Sequence, residues 1–205
     1  MSFGYLGDIS TKIKQKVKNQ GVISVAEAYE LEKKGQLTGS YELITRTVLS
    51  SQTDTEFTTL RESEFDVHVF QFEQIVMSGA DTLRAVVSND GGSTYETGSN
   101  YDGELQSVTA NGSASQDDRD GFTSWDRILQ NQANVEMSGT LTVYNMGDAT
   151  CYTSAHQEVQ SRTSSGVQTK HGGHVYLVKE TVNAIKFQLS SNNMTGAISV
   201  FGYRT

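Results

Sequence analysis

The chain has 205 residues and a formal net charge of −8, with 36% hydrophobic and 20% charged residues, 19 glycines, one cysteine and no proline. That length allows one well-buried core with a small appendage, and the apolar content is too high for a disordered chain. The acidic balance argues against general binding to nucleic-acid phosphates, which needs a basic surface to displace condensed counterions, and no stretch approaches the roughly 18 apolar residues of a membrane span.

In chain order, Asp8 to Lys18 places Ile9, Ile13 and Val17 four apart on one helical stripe, with Asp8 at the N-cap and Gly21 beyond the end. Lys12, Lys14, Lys16 and Lys18 alternate with Ile13 and Val17, so a short amphipathic strand also fits; helix is the favoured reading. Ser24 and Glu27 then form a capping box for a helix over Val25–Lys34, and Gly35 stands where a left-handed C-terminal residue belongs. Residues 1–38 therefore read as a short two-helix N-terminal segment, and residues 39–205 as a separate β-sandwich domain. An apolar stripe outside a sandwich has to bury itself on its own domain or on a partner, and a partner is the expectation. Phe3, Tyr5, Leu6, Ile9, Ile13 and Val17 are the candidate docking residues.

After Gly39 the apolar period changes to two. Tyr41–Val48, Phe57–Leu60 and Phe65–Val69 read as strands, the last changing phase to Phe70 and Phe72 as a β-bulge would require; this phase puts His68 on a polar face opposite Val67 and Val69. Leu83–Val87 ends in Ser88-Asn-Asp-Gly-Gly92, a hairpin-turn signal. Beyond Tyr101–Val108, a polar loop is predicted across Asn111–Asp120. Further strands are predicted at Thr123–Leu129, Met137–Tyr144, Cys151–Val159, His174–Val178, Val182–Leu189 and Ala197–Tyr203. Short strands joined by Gly, Asn and Ser turns predict a mainly β fold, an antiparallel sandwich of the jelly-roll type. Cys151, with no partner for an internal disulfide, fits a buried strand thiol.

Candidate chemistry is sparse. Asp117-Asp-Arg-Asp-Gly121 superficially resembles part of a calcium loop, but lacks the alternating ligands and distal bidentate Glu of an EF-hand, so a solvated loop is expected. His171-Gly-Gly-His174 brings two imidazoles close in sequence without a third ligand for tetrahedral zinc, and reads as a glycine-rich loop entering a strand; His156 is isolated. There is no Gly-x-Ser-x-Gly elbow, Walker loop or dinucleotide fingerprint, and no opposed carboxylate pair of the glycosidase kind stands out. Tyr95, Tyr101, Phe122 and Trp125 lie in or beside predicted loops. Tyr95, Tyr101 and Trp125 are taken as a candidate ligand loop that would stack on sugar rings; for Trp125 the favoured alternative is anchoring in the core edge.

Several stretches resemble one another's counterparts in a known group of proteins: Gly7-Asp-Ile-Ser-Thr-Lys-Ile-Lys-Gln-Lys16, Ala28-Tyr-Glu-Leu-Glu-Lys-Lys-Gly35, Gly39-Ser-Tyr-Glu-Leu-Ile44, Phe57-Thr-Thr-Leu60, Asp66-Val-His-Val69, Ser88-Asn-Asp-Gly-Gly-Ser93 and Ile198-Ser-Val-Phe-Gly-Tyr203. Together they resemble the virion-associated structural proteins of marine tailed bacteriophages, over nearly the whole chain. The resemblance implies a jelly-roll-like component of the head or tail and transfers no functional residue. The expectation is thus a non-enzymatic virion protein, synthesised in the host cytoplasm, of the tail-fibre, adhesin or capsid-decoration type. Its expected partners are other virion proteins, further copies of itself, with a trimer as one candidate state, and a host-surface glycan; no cofactor, metal, nucleic acid or membrane insertion is expected. The alternative is a free carbohydrate-binding sandwich module.

Overall fold

A computed structural model describes residues 41–131, 133–163 and 166–203. The two-helix segment expected over residues 1–38, with Phe3, Tyr5, Leu6, Ile9, Ile13 and Val17, lies outside the described residues.

From Tyr41 onward, alternation and β-branched content give a succession of strands joined by turns and loops. The strands are β1 (Tyr41–Gln52), β2 (Asp54–Phe57), β3 (Val67–Met77), β4 (Asp81–Ser88), β5 (Tyr101–Thr109), β6 (Ala114–Phe122), β7 (Trp125–Asn131), β8 (Glu136–Tyr144), β9 (Ser154–Thr163), β10 (Gly166–Tyr176), β11 (Ala184–Gln188) and β12 (Met194–Tyr203). All pairings are antiparallel. One sheet has eight strands in the order β1-β12-β3-β8-β9-β10-β5-β6, the other four in the order β2-β11-β4-β7.

Eight of the strands pair as a nest, β1 with β12, β2 with β11, β3 with β8 and β4 with β7. Two hairpins interrupt it, β5–β6 between β4 and β7, and β9–β10 between β8 and β11. They dock on each other along β10 and β5, from Gln168 opposite Thr109 to Tyr176 opposite Tyr101, and on the nest through β8 and β9. The larger sheet is thereby four strands wider than the smaller one, which stops at β7.

The two sheets share one core. Phe187 on β11 stands at its middle, edge-on to Phe57, Phe70 and Phe72 at 5.9, 5.2 and 5.4 Å between ring centroids, an arrangement favoured by the ring quadrupoles. On β3 the inward positions are His68, Phe70 and Phe72, then Ile75 and Met77. The phase change therefore exists but falls at Glu73–Gln74, where Gln74 takes φ 49° and the register to β8 shifts, rather than at Phe70. This corrects His68, which is fully buried on the core side with Nε2–H donating to the Leu60 carbonyl at 2.8 Å.

Three other expectations are corrected. Ser88–Gly92 is not a hairpin turn, because β4 and β5 belong to different sheets. It opens a crossing loop in which Asp90 accepts from Thr94 Oγ1 at 2.6 Å and the Gly92 amide donates to Ser88 Oγ at 3.0 Å. Residues 117–120 are strand rather than loop, part of β6. Cys151 sits half-buried in the turn before β9, a free thiol outside any strand.

Candidate functional site

The four extra strands of the larger sheet overhang the β7 edge of the smaller one. Their inward face is read row by row from the register. Ala155, His174, Gly103 and Arg119 form one row, Gln157, Gly172, Leu105 and Asp117 the next, and Val159, Lys170, Ser107 and Ser115 a third. Each row starts apolar or neutral beside the core and ends polar at β6. Gly172 lets the strands approach at this point, since a Cβ there would stand 2.1 Å from the Glu104 carbonyl oxygen.

Across from this face, β7 is bulged. Leu83 pairs with Leu129 and Ala85 with Trp125, so Arg84 alone opposes three residues, Asp126, Arg127 and Ile128. Arg127, in the middle, takes φ 59°. A left-handed arginine costs of order 1–3 kcal/mol and persists only where surroundings enforce it; bulges of this kind re-aim a side chain. The enforcement is visible. Gln157, completely buried on β9, donates from Nε2 to the Arg127 carbonyl at 3.2 Å and accepts at Oε1 from His174 Nε2–H at 2.8 Å. Because the Gln157 amide nitrogen is committed to a carbonyl, its oxygen must accept, which places the His174 proton on Nε2. Burial pushes the His174 imidazole down to about 4, so it is neutral near pH 7.

Between overhang and bulge lies a cleft of about 380 Å³, lined among others by Lys170, Gln168, Asp117, Arg127 and Gln130. Asp117 accepts from Arg119 at 2.7 Å and from Arg127, while Asp126 pairs with Arg84 at 3.0 Å and lies 3.6 Å from Arg119. Lys170 is 9% exposed and donates from Nζ to Gln130 Oε1 at 2.6 Å. Among the described residues it has no carboxylate at ion-pair distance. Burial, and next the Arg127 guanidinium, push its ammonium down to about 8 against the opposing pull of Asp117 and Asp126. Four cationic groups thus meet two carboxylates here, on a chain whose net charge is −8.

The residues singled out from sequence fall elsewhere. Tyr101 and Trp125 are strand residues with 0% and 1% exposure, so neither offers a ring face to a sugar; this corrects the ligand-loop assignment of both, and for Trp125 it agrees with the favoured alternative, anchoring in the core. Tyr101 is a structural tie, accepting from the Val87 amide at 3.1 Å and donating to the Glu96 carbonyl at 2.9 Å. Tyr95 is half-buried beneath the Lys186 ammonium, 4.2 Å from its ring centroid, and the Arg119 guanidinium lies over Phe122. His171 and His174 are inside β10, not in a loop, and three residues apart on a strand they face opposite sides: His171 is exposed beside Gln106 and His174 is in the core. Among the described residues no three His, Cys, Asp or Glu are grouped to hold a metal ion. Sequence reasoning missed Arg127, Gln130, Gln157 and Lys170; a cation in the inward phase of an otherwise alternating strand was the only available signal.

No family model, curated protein or solved structure matches this chain.

Proposed function

We propose that this chain is a non-enzymatic structural component of a phage particle, of the tail-fibre, adhesin or capsid-decoration type, docked to other virion proteins through its N-terminal segment and through β1. The nested strand pairing supports reading the eight-strand nest as a jelly roll, an architecture used by viral capsid and lectin domains. Among the described residues Asp117 is the single carboxylate lining the cleft, whereas most glycoside hydrolysis uses an opposed pair.

The observation that carries the reading is the edge strand β1. Of the four sheet edges among the described residues, β2 is only four residues long, β6 carries Asp117, Asp118, Arg119 and Asp120, and β7 is bulged, all recognised protections against edge pairing. β1 runs for 12 residues; its register to β12 shifts between Leu43 and Thr45 and between Ser50 and Gln52, and is unbroken over the six residues from Thr45 to Ser50. The one charge in that run, Arg46, is tied back to Glu73 at 2.9 Å. Val48 is 65% exposed, and Tyr41, Leu43, Tyr203 and Tyr144 continue an exposed apolar band over the outer face of the same sheet. An edge left unpaired among the described residues in this way is suited to receive a strand from a neighbouring virion protein.

The test is incorporation into particles, counted by quantitative mass spectrometry of purified virions. Leu43→Lys combined with Val48→Lys leaves thermal stability within about 0.5 kcal/mol of wild type, as expected for surface changes, yet is depleted from particles; deletion of residues 1–38 is likewise depleted. Wild-type levels of both variants in the particle would refute the reading. A chain wholly absent from particles would instead favour the free carbohydrate-binding module, the reading that the polar cleft supports.

A further inference from the structure

We propose that the cleft under the overhang is a binding site for a carboxylate-bearing sugar, a uronic acid or its like, whose carboxylate meets Lys170 and Arg127 and whose hydroxyls meet Gln130, Gln168 and the Ser107–Ser115 pair. The inference is independent of whether the chain is displayed on a particle.

Three observations lead to it. The first is the uncompensated ammonium. Lysine is almost never buried to this degree without an ion-pair partner, and leaving such a charge without one in a low-dielectric site is costly. Lys170 nevertheless turns inward between Val159 and Ser107 and finds only an amide oxygen among the described residues. An anionic ligand supplies the missing partner.

The second is the composition of the wall. Among the described residues its only apolar side chains are Leu105 and Ala80, and none of them brings an aromatic ring, so this wall suits neither an apolar nor a stacking ligand. Amides and hydroxyls that both donate and accept are what a polyhydroxy ligand requires. The Ser107 and Ser115 hydroxyls bond each other at 2.7 Å, each retaining further hydrogen-bonding capacity. The volume sits at the small end of the range for ligand sites, about 300–1,000 Å³.

The third is preorganisation. The strained Arg127 is held in place by the chain His174–Gln157–Arg127 carbonyl, which spans both sheets and whose His174 and Gln157 side chains are buried. Strain maintained by buried hydrogen bonds is a mark of binding and catalytic sites. The charged groups facing Lys170 are Asp117 and Arg119 from β6, and Asp126 and Arg127 from β7. Their carboxylates are occupied by arginines, which leaves Lys170 for the ligand.

Isothermal titration of the full-length chain at neutral pH with sodium glucuronate, using glucose and sodium sulfate as comparison solutes, tests the assignment. The expected result is saturable glucuronate binding, with glucose and sulfate each at least roughly tenfold weaker, and a loss of roughly tenfold or more in Lys170→Met, the scale of one charge-assisted hydrogen bond. Lys170→Met is expected to melt no lower than wild type, so that loss of binding is separable from loss of fold. Arg127→Gly, which suits the left-handed backbone, should weaken glucuronate binding while leaving the chain folded. Absence of saturable glucuronate binding, sulfate binding equal to it, or unchanged binding in Lys170→Met would each overturn the proposal.

Discussion

In the larger sheet, four of the nested strands and the two inserted hairpins are continuous but are held by different physics. In the nest, inward positions such as Phe70, Leu141, Ile198 and Val200 are apolar and wholly buried, so the area removed from water stabilises them without directional bonds. In the hairpins the same inward phase carries His174, Gln157, Lys170, Asp117 and Ser107. There each buried polar group depends on a named partner, and the interaction is strong only while that partner is present. Widening a sheet beyond its opposing layer thus turns core positions into the wall of a cleft.

The largest effect that would sharpen this contrast is in the nest. Phe187→Ala removes the ring that contacts Phe57, Phe70 and Phe72 and should cost about 3–5 kcal/mol in urea unfolding; a loss no larger than that of an overhang substitution would break the comparison. Next comes acid. The folded His174 value of about 4 lies below the ordinary 6.5, so the unfolded chain takes up its proton first as pH falls. Stability from this group is therefore complete above pH 6.5 and is lost as pH falls toward 4, by an amount on the order of 3 kcal/mol. Burial lowers His68 in the same direction, so His174→Gln should flatten the acid limb in part and not wholly.

Gln157→Ala strands both the Arg127 carbonyl and the His174 Nε2–H and should cost about 1–3 kcal/mol, with loosening concentrated at β7, readable as faster amide exchange there. Lys170→Met is the smallest effect, neutral or stabilising by about 1 kcal/mol at pH 7, since it removes an uncompensated buried charge. Its signature is in alkali. The folded Lys170 value of about 8 lies below 10.5, so the unfolded chain holds the extra proton between those values and wild-type stability gains with rising pH across that window; the variant lacks this gain.

How much was legible follows the same division. Phe70 and Phe72, Leu83 to Val87, and Ala197 to Tyr203 announce strands because alternation records a buried face and a wet one. β6 was unreadable because an edge strand with Asp117, Asp118, Arg119 and Asp120 has no apolar phase to display, and its backbone pairing is invisible in side-chain type. The part of β10 before His174 failed for a related reason: His171-Gly-Gly-His174 looks like a turn, and it is strand only because β5 and β9 flank it on both sides. Tyr101 was readable as important and misplaced as exposed, since a strand's first residue looks the same whether its side chain faces water or a second sheet, whereas the size of Trp125 already favoured anchoring in the core.

From sequence alone came the mainly β composition, most strand positions, and the absence of any local catalytic signature, because each depends on residue type and short spacing. Only the tertiary structure decided the nested pairing, the inward phase of His68, and the meeting of Arg127 with Asp117 and Lys170 across two sheets. These depend on which strand lies beside which, and pairing at long range is set by the closure of the whole core rather than by any neighbouring residues.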